Sequence, residues 1–113
     1  MIAGSSMGGI ISMYAILKYP GVFGTAGVFS PAFWVGPKIF EDINKSGKSV
    51  KGSIYFYGGK EEGETMVPDM VKAADLMNKL SDAKIATIIR ETGKHNEGRW
   101  RIEFPLFYEW AMK

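Results

Sequence analysis

Short apolar runs rich in β-branched and aromatic residues alternate with longer runs of helical periodicity along all 113 residues, and nothing else in the sequence restricts the fold as much. Residues 1–4 form an apolar stub leading into a Ser/Gly-rich turn. Ile10, Ile11, Met13, Tyr14, Ile16 and Leu17 then occupy nearly every face of a helix, which predicts deep burial, and Pro20 stops it because proline has no N–H and disfavours helix in the residue before it. Residues 25–29, 53–57 and 84–89 read as strands, the second punctuated by Gly58-Gly59. Met66, Met70, Ala73, Met77 and Leu80 mark one face of a helix begun at Thr65. Trp100, Phe104, Phe107 and Ala111 mark a terminal helix that Pro105 is expected to kink or split. Residues 30–51 are read as a loop-rich excursion with a short helix near 38–44. Such alternation predicts an α/β fold: three αβα layers around a mostly parallel sheet.

Composition narrows the function classes. With 46% hydrophobic and 23% charged residues the chain is an ordinary globular domain, and its length allows one core. The net charge of +2 arises from 14 basic and 12 acidic residues without a basic block, which argues against a nucleic-acid partner. No apolar run approaches the ~20 residues of a membrane-spanning helix. Absence of cysteine removes disulfides, thiol nucleophiles and thiolate metal sites, and a single histidine gives no expectation of a metal. No cofactor is expected either, since the segment 4–9 lacks the lysine of a phosphate-binding loop.

The candidate chemistry begins at Gly4-Ser5-Ser6-Met7-Gly8, a G-x-S-x-G pattern that can turn a strand sharply into a helix while holding a serine hydroxyl clear. Gly4 and Gly8 are read as the residues permitting close approach, and the Met7 N–H as an oxyanion donor at the helix start. The same pentapeptide is compatible with a plain turn. His95, the one histidine, lies in a polar segment after residues 84–89, and Glu61, Glu62 and Glu64 follow residues 53–57. Glu61 is taken as the acid that would orient the imidazole, although a solvated acidic loop explains the three glutamates equally well. Ser, Glu and His thus come in the chain order of the α/β hydrolases, each just past a different predicted strand, and loops beyond the carboxyl ends of parallel strands gather at one rim. Trp34 and Phe33, in the loop-rich excursion, are candidates for substrate contact.

These segments also resemble a family, the esterase D and enterochelin-esterase-like branch of the α/β hydrolases. Ile2-Ala-Gly-Ser-Ser-Met-Gly-Gly9 is similar to its elbow, and Lys18-Tyr-Pro-Gly-Val-Phe23 with Val28-Phe-Ser-Pro-Ala-Phe-Trp34 to its next strand and loop. Tyr57-Gly-Gly-Lys-Glu61 resembles its acid loop and His95-Asn-Glu-Gly-Arg-Trp-Arg101 its histidine loop. The resemblance implies a serine-dependent carboxylic ester hydrolase with a Ser6, Glu61, His95 triad, a small-molecule ester as substrate, and residues 1–113 as the C-terminal portion of the catalytic domain. Members carry several strands before the elbow and a loop supplying a second oxyanion N–H. Their absence here implies a missing N-terminal half or a homo-oligomer joined at the bare strand, and a weak or inert fragment as the alternative to an active esterase. A non-catalytic sugar- or siderophore-binding module is a further alternative.

Overall fold

The computed structural model describes residues 1–33, 38–91 and 97–112. Its elements run β1 (Ile2–Ser5), α1 (Met7–Lys18), β2 (Thr25–Phe29), α2 (Ile39–Ser46), a single 3₁₀ turn, β3 (Ser53–Gly59), α3 (Met66–Leu80), β4 (Lys84–Arg90) and α4 (Glu97–Ala111). The strands form one all-parallel sheet in the order β1-β2-β3-β4. Ser5 is level with Phe29, Phe29 with Tyr57, and Tyr57 with Ile88, so the four carboxyl ends share one rim.

Parallel neighbours need crossovers, and strands laid down in sequence order by crossovers of one hand place the connecting helices on one face. Accordingly α1 packs on α2 and α2 on α3. Strand side chains alternate between two cores. Ala26, Val28, Ile54 and Phe56 join Ile10, Met13, Ile16, Met70 and Met77 beneath α1 to α3. Phe29, Tyr55 and Tyr57 turn to the opposite face and pack on Phe107 of α4. Because both faces are covered, β2 and β3 read as continuous apolar runs rather than alternating ones.

Three expectations need correction. Gly58 and Gly59 do not close β3: the strand runs through both, since β4 is long enough to pair them with Ile89 and Arg90. Pro105 does not split α4, which is one helix with the proline inside. Proline leaves the carbonyl of Arg101 without its intrahelical N–H, but Arg101 is exposed and water can serve it. Nor is α1 buried on nearly every face: Ile11 is 58% and Met7 54% exposed.

Among the described residues β1 pairs with β2 alone, so its other side is an open sheet edge. Beside it runs a groove of about 350 Å³ lined by Ala3, Gly4, Ser5, Phe29, Trp100, Arg101 and Phe104. Among the described residues no helix is long and apolar enough to cross a membrane.

Candidate active site

Ser6 stands between β1 and α1 with φ 56° and ψ −118°, a backbone conformation that a residue with a Cβ rarely adopts. Such strain persists only where neighbours impose it, and here they do. The Ser6 N–H donates to the Phe29 carbonyl at 2.9 Å, and the Ser6 carbonyl accepts from the N–H groups of Gly9 at 3.0 Å and Ala32 at 3.1 Å. The chain leaving β2 therefore grips the Ser6 peptide from both sides. The Ser6 side chain makes no helix-capping bond. Met7 is the first residue of α1, where amide hydrogens have no intrahelical acceptor and the helix dipole is positive, the condition an oxyanion requires.

Two glycines make this turn possible, Gly4 as expected and Gly9 in place of Gly8. A Cβ on Gly4 would lie 2.5 Å from the Gly8 carbonyl oxygen, and one on Gly9 would lie 2.9 Å from the Phe29 oxygen. A Cβ on Gly8 would meet nothing within 4 Å. Gly8 matters for where its backbone lies, not for lacking a side chain.

Past β3 the chain turns back on itself, with the Glu62 N–H donating to the Gly59 carbonyl at 3.2 Å. This brings the Glu62 carboxylate over the sheet rim, where Oε2 accepts from the Gly59 N–H at 2.6 Å and from Ser30 Oγ at 2.8 Å. Ser30, the first residue beyond β2, is fully buried and also has a positive φ, 46°. Its hydroxyl accepts from Trp100 Nε1 of α4 at 2.8 Å. Glu61 and Glu64, by contrast, are exposed. Of the adjacent carboxylates, Glu62 is thus the one held at the rim beside the elbow. Spacing could not separate Glu61 from Glu62, because the 59–62 turn decides which points inward.

His95 and Trp34 lie outside the described residues. Phe33 is 3% exposed and stacks on Phe40 with ring centroids 5.3 Å apart, within the α1–α3 core. No group of three His, Asp or Glu side chains that could hold a metal occurs among the described residues.

Beneath the rim, Glu103 of α4 is 1% exposed. Arg90, the last residue of β4, donates to it twice, Nε to Oε1 at 2.7 Å and Nη2 to Oε2 at 3.1 Å. Arg99 Nη2 lies 3.8 Å from Oε1. The Glu103 bonds and charge hold the Arg90 guanidinium in its ionised form, raising its pKa against the opposing effect of burial. This pair joins the two ends of the segment that contains His95.

Burial also raises the pKa of the Tyr55 and Tyr57 phenols, with the Glu103 charge acting in the same direction on both and the nearby arginines against it. Tyr57 Oη is buried without a hydrogen-bond partner of good geometry among the described residues. An unfolded tyrosine ionises near pH 10, so above that pH the unfolded chain releases protons the folded one retains, and stability falls as pH rises. The urea midpoint should therefore drop on going from about pH 8 to about pH 11. Tyr57→Phe should reduce that drop while changing stability at neutral pH by no more than ~1 kcal/mol. An equal drop in the variant would exclude Tyr57 as a contributor.

A strained serine between strand and helix, at the carboxyl rim of a parallel sheet covered by helices on both faces, defines the α/β-hydrolase class of fold. Sequence comparison is more specific: residues 1–106 match the Putative esterase family, and the chain belongs to that family. Uncharacterized protein YbbA of Bacillus subtilis (strain 168) is 43% identical over 61 residues, 53% of this chain and 24% of YbbA. The fold is similar to that of an IroE-like serine hydrolase from Shewanella oneidensis (TM-score 0.75, 14% identity, covering 97% of this chain and 39% of that one). It is also similar to the siderophore hydrolase EstB of Aspergillus nidulans (TM-score 0.75, 15% identity, covering 97% and 46%). The S-formylglutathione hydrolase FrmB of Staphylococcus aureus is a third likeness (TM-score 0.74, 16% identity, covering 99% and 50%). The chain spans about a quarter of the curated relative and half or less of these structural neighbours.

Proposed function

We propose that this chain forms the C-terminal portion of the catalytic domain of a serine-dependent carboxylic ester hydrolase, working through an acyl-enzyme. His95 takes the proton of Ser6 as Oγ attacks the ester carbonyl carbon. The Met7 N–H stabilises the resulting oxyanion, and collapse expels the alcohol, which receives the proton from the imidazolium. His95 then deprotonates a water that attacks the acyl group, releasing the acid and restoring Ser6. A carboxylate keeps the imidazole in the required tautomer and stabilises its charged form. Of Glu61 and Glu62, we assign that part to Glu62, because its carboxylate is anchored to Ser30 and Gly59 while Glu61 is exposed. Trp34, following the core-anchored Phe33, is assigned to the substrate pocket. The substrate is a small-molecule ester, and no cofactor takes part.

The observation that carries the reading is the strained Ser6 peptide, clamped by Phe29, Gly9 and Ala32 in a conformation a mere turn does not need. A second reading, an inert portion that folds by association, is favoured by the open edge of β1. An unpaired strand offers N–H and C=O groups to another strand, either from the rest of a longer catalytic domain or from a second copy. Intact-mass analysis after treatment with a fluorophosphonate separates the two. A primed Ser6 takes one adduct, which Ser6→Ala abolishes and His95→Ala greatly slows. Folded protein that stays unlabelled would establish the inert reading, and an adduct persisting in Ser6→Ala would sink the assignment of the nucleophile.

A further inference from the structure

The hydrogen bonds at the rim have a fixed direction. Indole nitrogen can only donate, so the Trp100 Nε1–H must be accepted by the Ser30 oxygen. An ionised carboxylate can only accept, so the Ser30 proton must point to Glu62 Oε2. The order Trp100 to Ser30 to Glu62 follows without any choice of hydrogen position, and bonds in such a chain polarise one another. The hydroxyl is fully buried, and its residue holds a positive φ that a serine adopts only under constraint. Phe29 and Ala32, one residue before Ser30 and two after it, are the groups that grip Ser6. One four-residue stretch, 29–32, thus connects the nucleophile's backbone to the carboxylate, and an indole 70 residues away in sequence closes the connection.

We infer that Ser30 and Trp100 are positioning residues: a directed indole–hydroxyl relay that sets the orientation of the Glu62 carboxylate and, through it, the reactivity of Ser6. The inference rests on the assignment of Glu62 as the acid. The bonds from Ser30 and from the Gly59 N–H converge on Oε2, so the scaffold fixes the position of that oxygen.

Two measurements test it. In fluorophosphonate labelling of Ser6, Ser30→Ala and Trp100→Phe are each expected to lower the maximal rate constant about tenfold, the order of magnitude of one buried hydrogen bond. In Ser30→Ala the half-saturating probe concentration should change little, because the Ser30 side chain is fully buried. In a Glu62→Gln background the same Ser30→Ala change should add less than about twofold, since residues acting through one another are not additive. A merely structural role would instead cost the same factor in both backgrounds, and that result would overturn the inference. If Glu62→Gln leaves labelling unchanged, the acid assignment fails and the catalytic half of the inference fails with it. The relay has its own readout, independent of reactivity: the indole Nε1–H resonance of Trp100, identified by its loss in Trp100→Phe, should shift in Glu62→Gln although the hydroxyl stands between the two. An unmoved resonance in the folded variant overturns the relay.

Discussion

Gly4→Ala is expected to destabilise the fold by about 4 kcal/mol, while Gly8→Ala, four residues on in the same motif, leaves it unchanged or more stable. The Gly4 methyl would lie 2.5 Å from the Gly8 carbonyl oxygen and 2.6 Å from its carbon, and both are backbone atoms that no side-chain rotation can move aside. Either β1 must leave its register with β2 or the first turn of α1 must lift, and the latter pulls on the bonds that hold Ser6. At Gly8 there is open space, and alanine in place of glycine within a helix contributes up to ~1 kcal/mol. Urea unfolding checks both, a lower midpoint with an unchanged slope identifying a genuine loss of stability. Equal costs at the two positions would mean that β1 and α1 do not meet as described.

Arg90→Met should lower the melting temperature by roughly 15 °C, from about 3 kcal/mol of lost stability at ~5 °C per kcal/mol in a domain of this size. The cost lies in what remains. Glu103, 1% exposed, would keep a carboxylate inside the protein with Arg99 only at 3.8 Å. The double variant Arg90→Met with Glu103→Leu should regain most of the loss, because an apolar pair of similar volume has no charge to desolvate. A small loss, typical of a surface ion pair such as Lys60–Glu91, would show that water reaches Glu103 after all.

The strands were legible in the sequence because burial on both faces leaves a run such as Thr25–Phe29 almost no polar position, and its predicted ends coincide with those observed. What depended on contacts between distant elements was not legible. Glu103 sits in a terminal helix where a charge reads as solvent-facing, and nothing nearby announces Arg90 as its partner from β4. Ser30 looks like a loop residue before Pro31, and its link to Trp100 exists only once α4 docks on the sheet. Ile11 continues the apolar run of α1 yet faces outward, since periodicity identifies an apolar stripe but not which neighbours cover it. At the site, chain order brought the serine and the acidic loop to one rim, while the choice among adjacent glutamates waited on a four-residue turn.

The strands lie side by side in the order in which they are synthesised, so each can dock on its predecessor as the chain lengthens, with a single helical crossover to close at each step. The clasp from Trp100 to Ser30 is different: it cannot form until α4 has been made. A growing chain would therefore have β1 to β4 paired while its carboxylate still lacked the indole's support, and fraying of α4 would undo that support before the strands separated. Reactivity should come last in assembly and go first on warming.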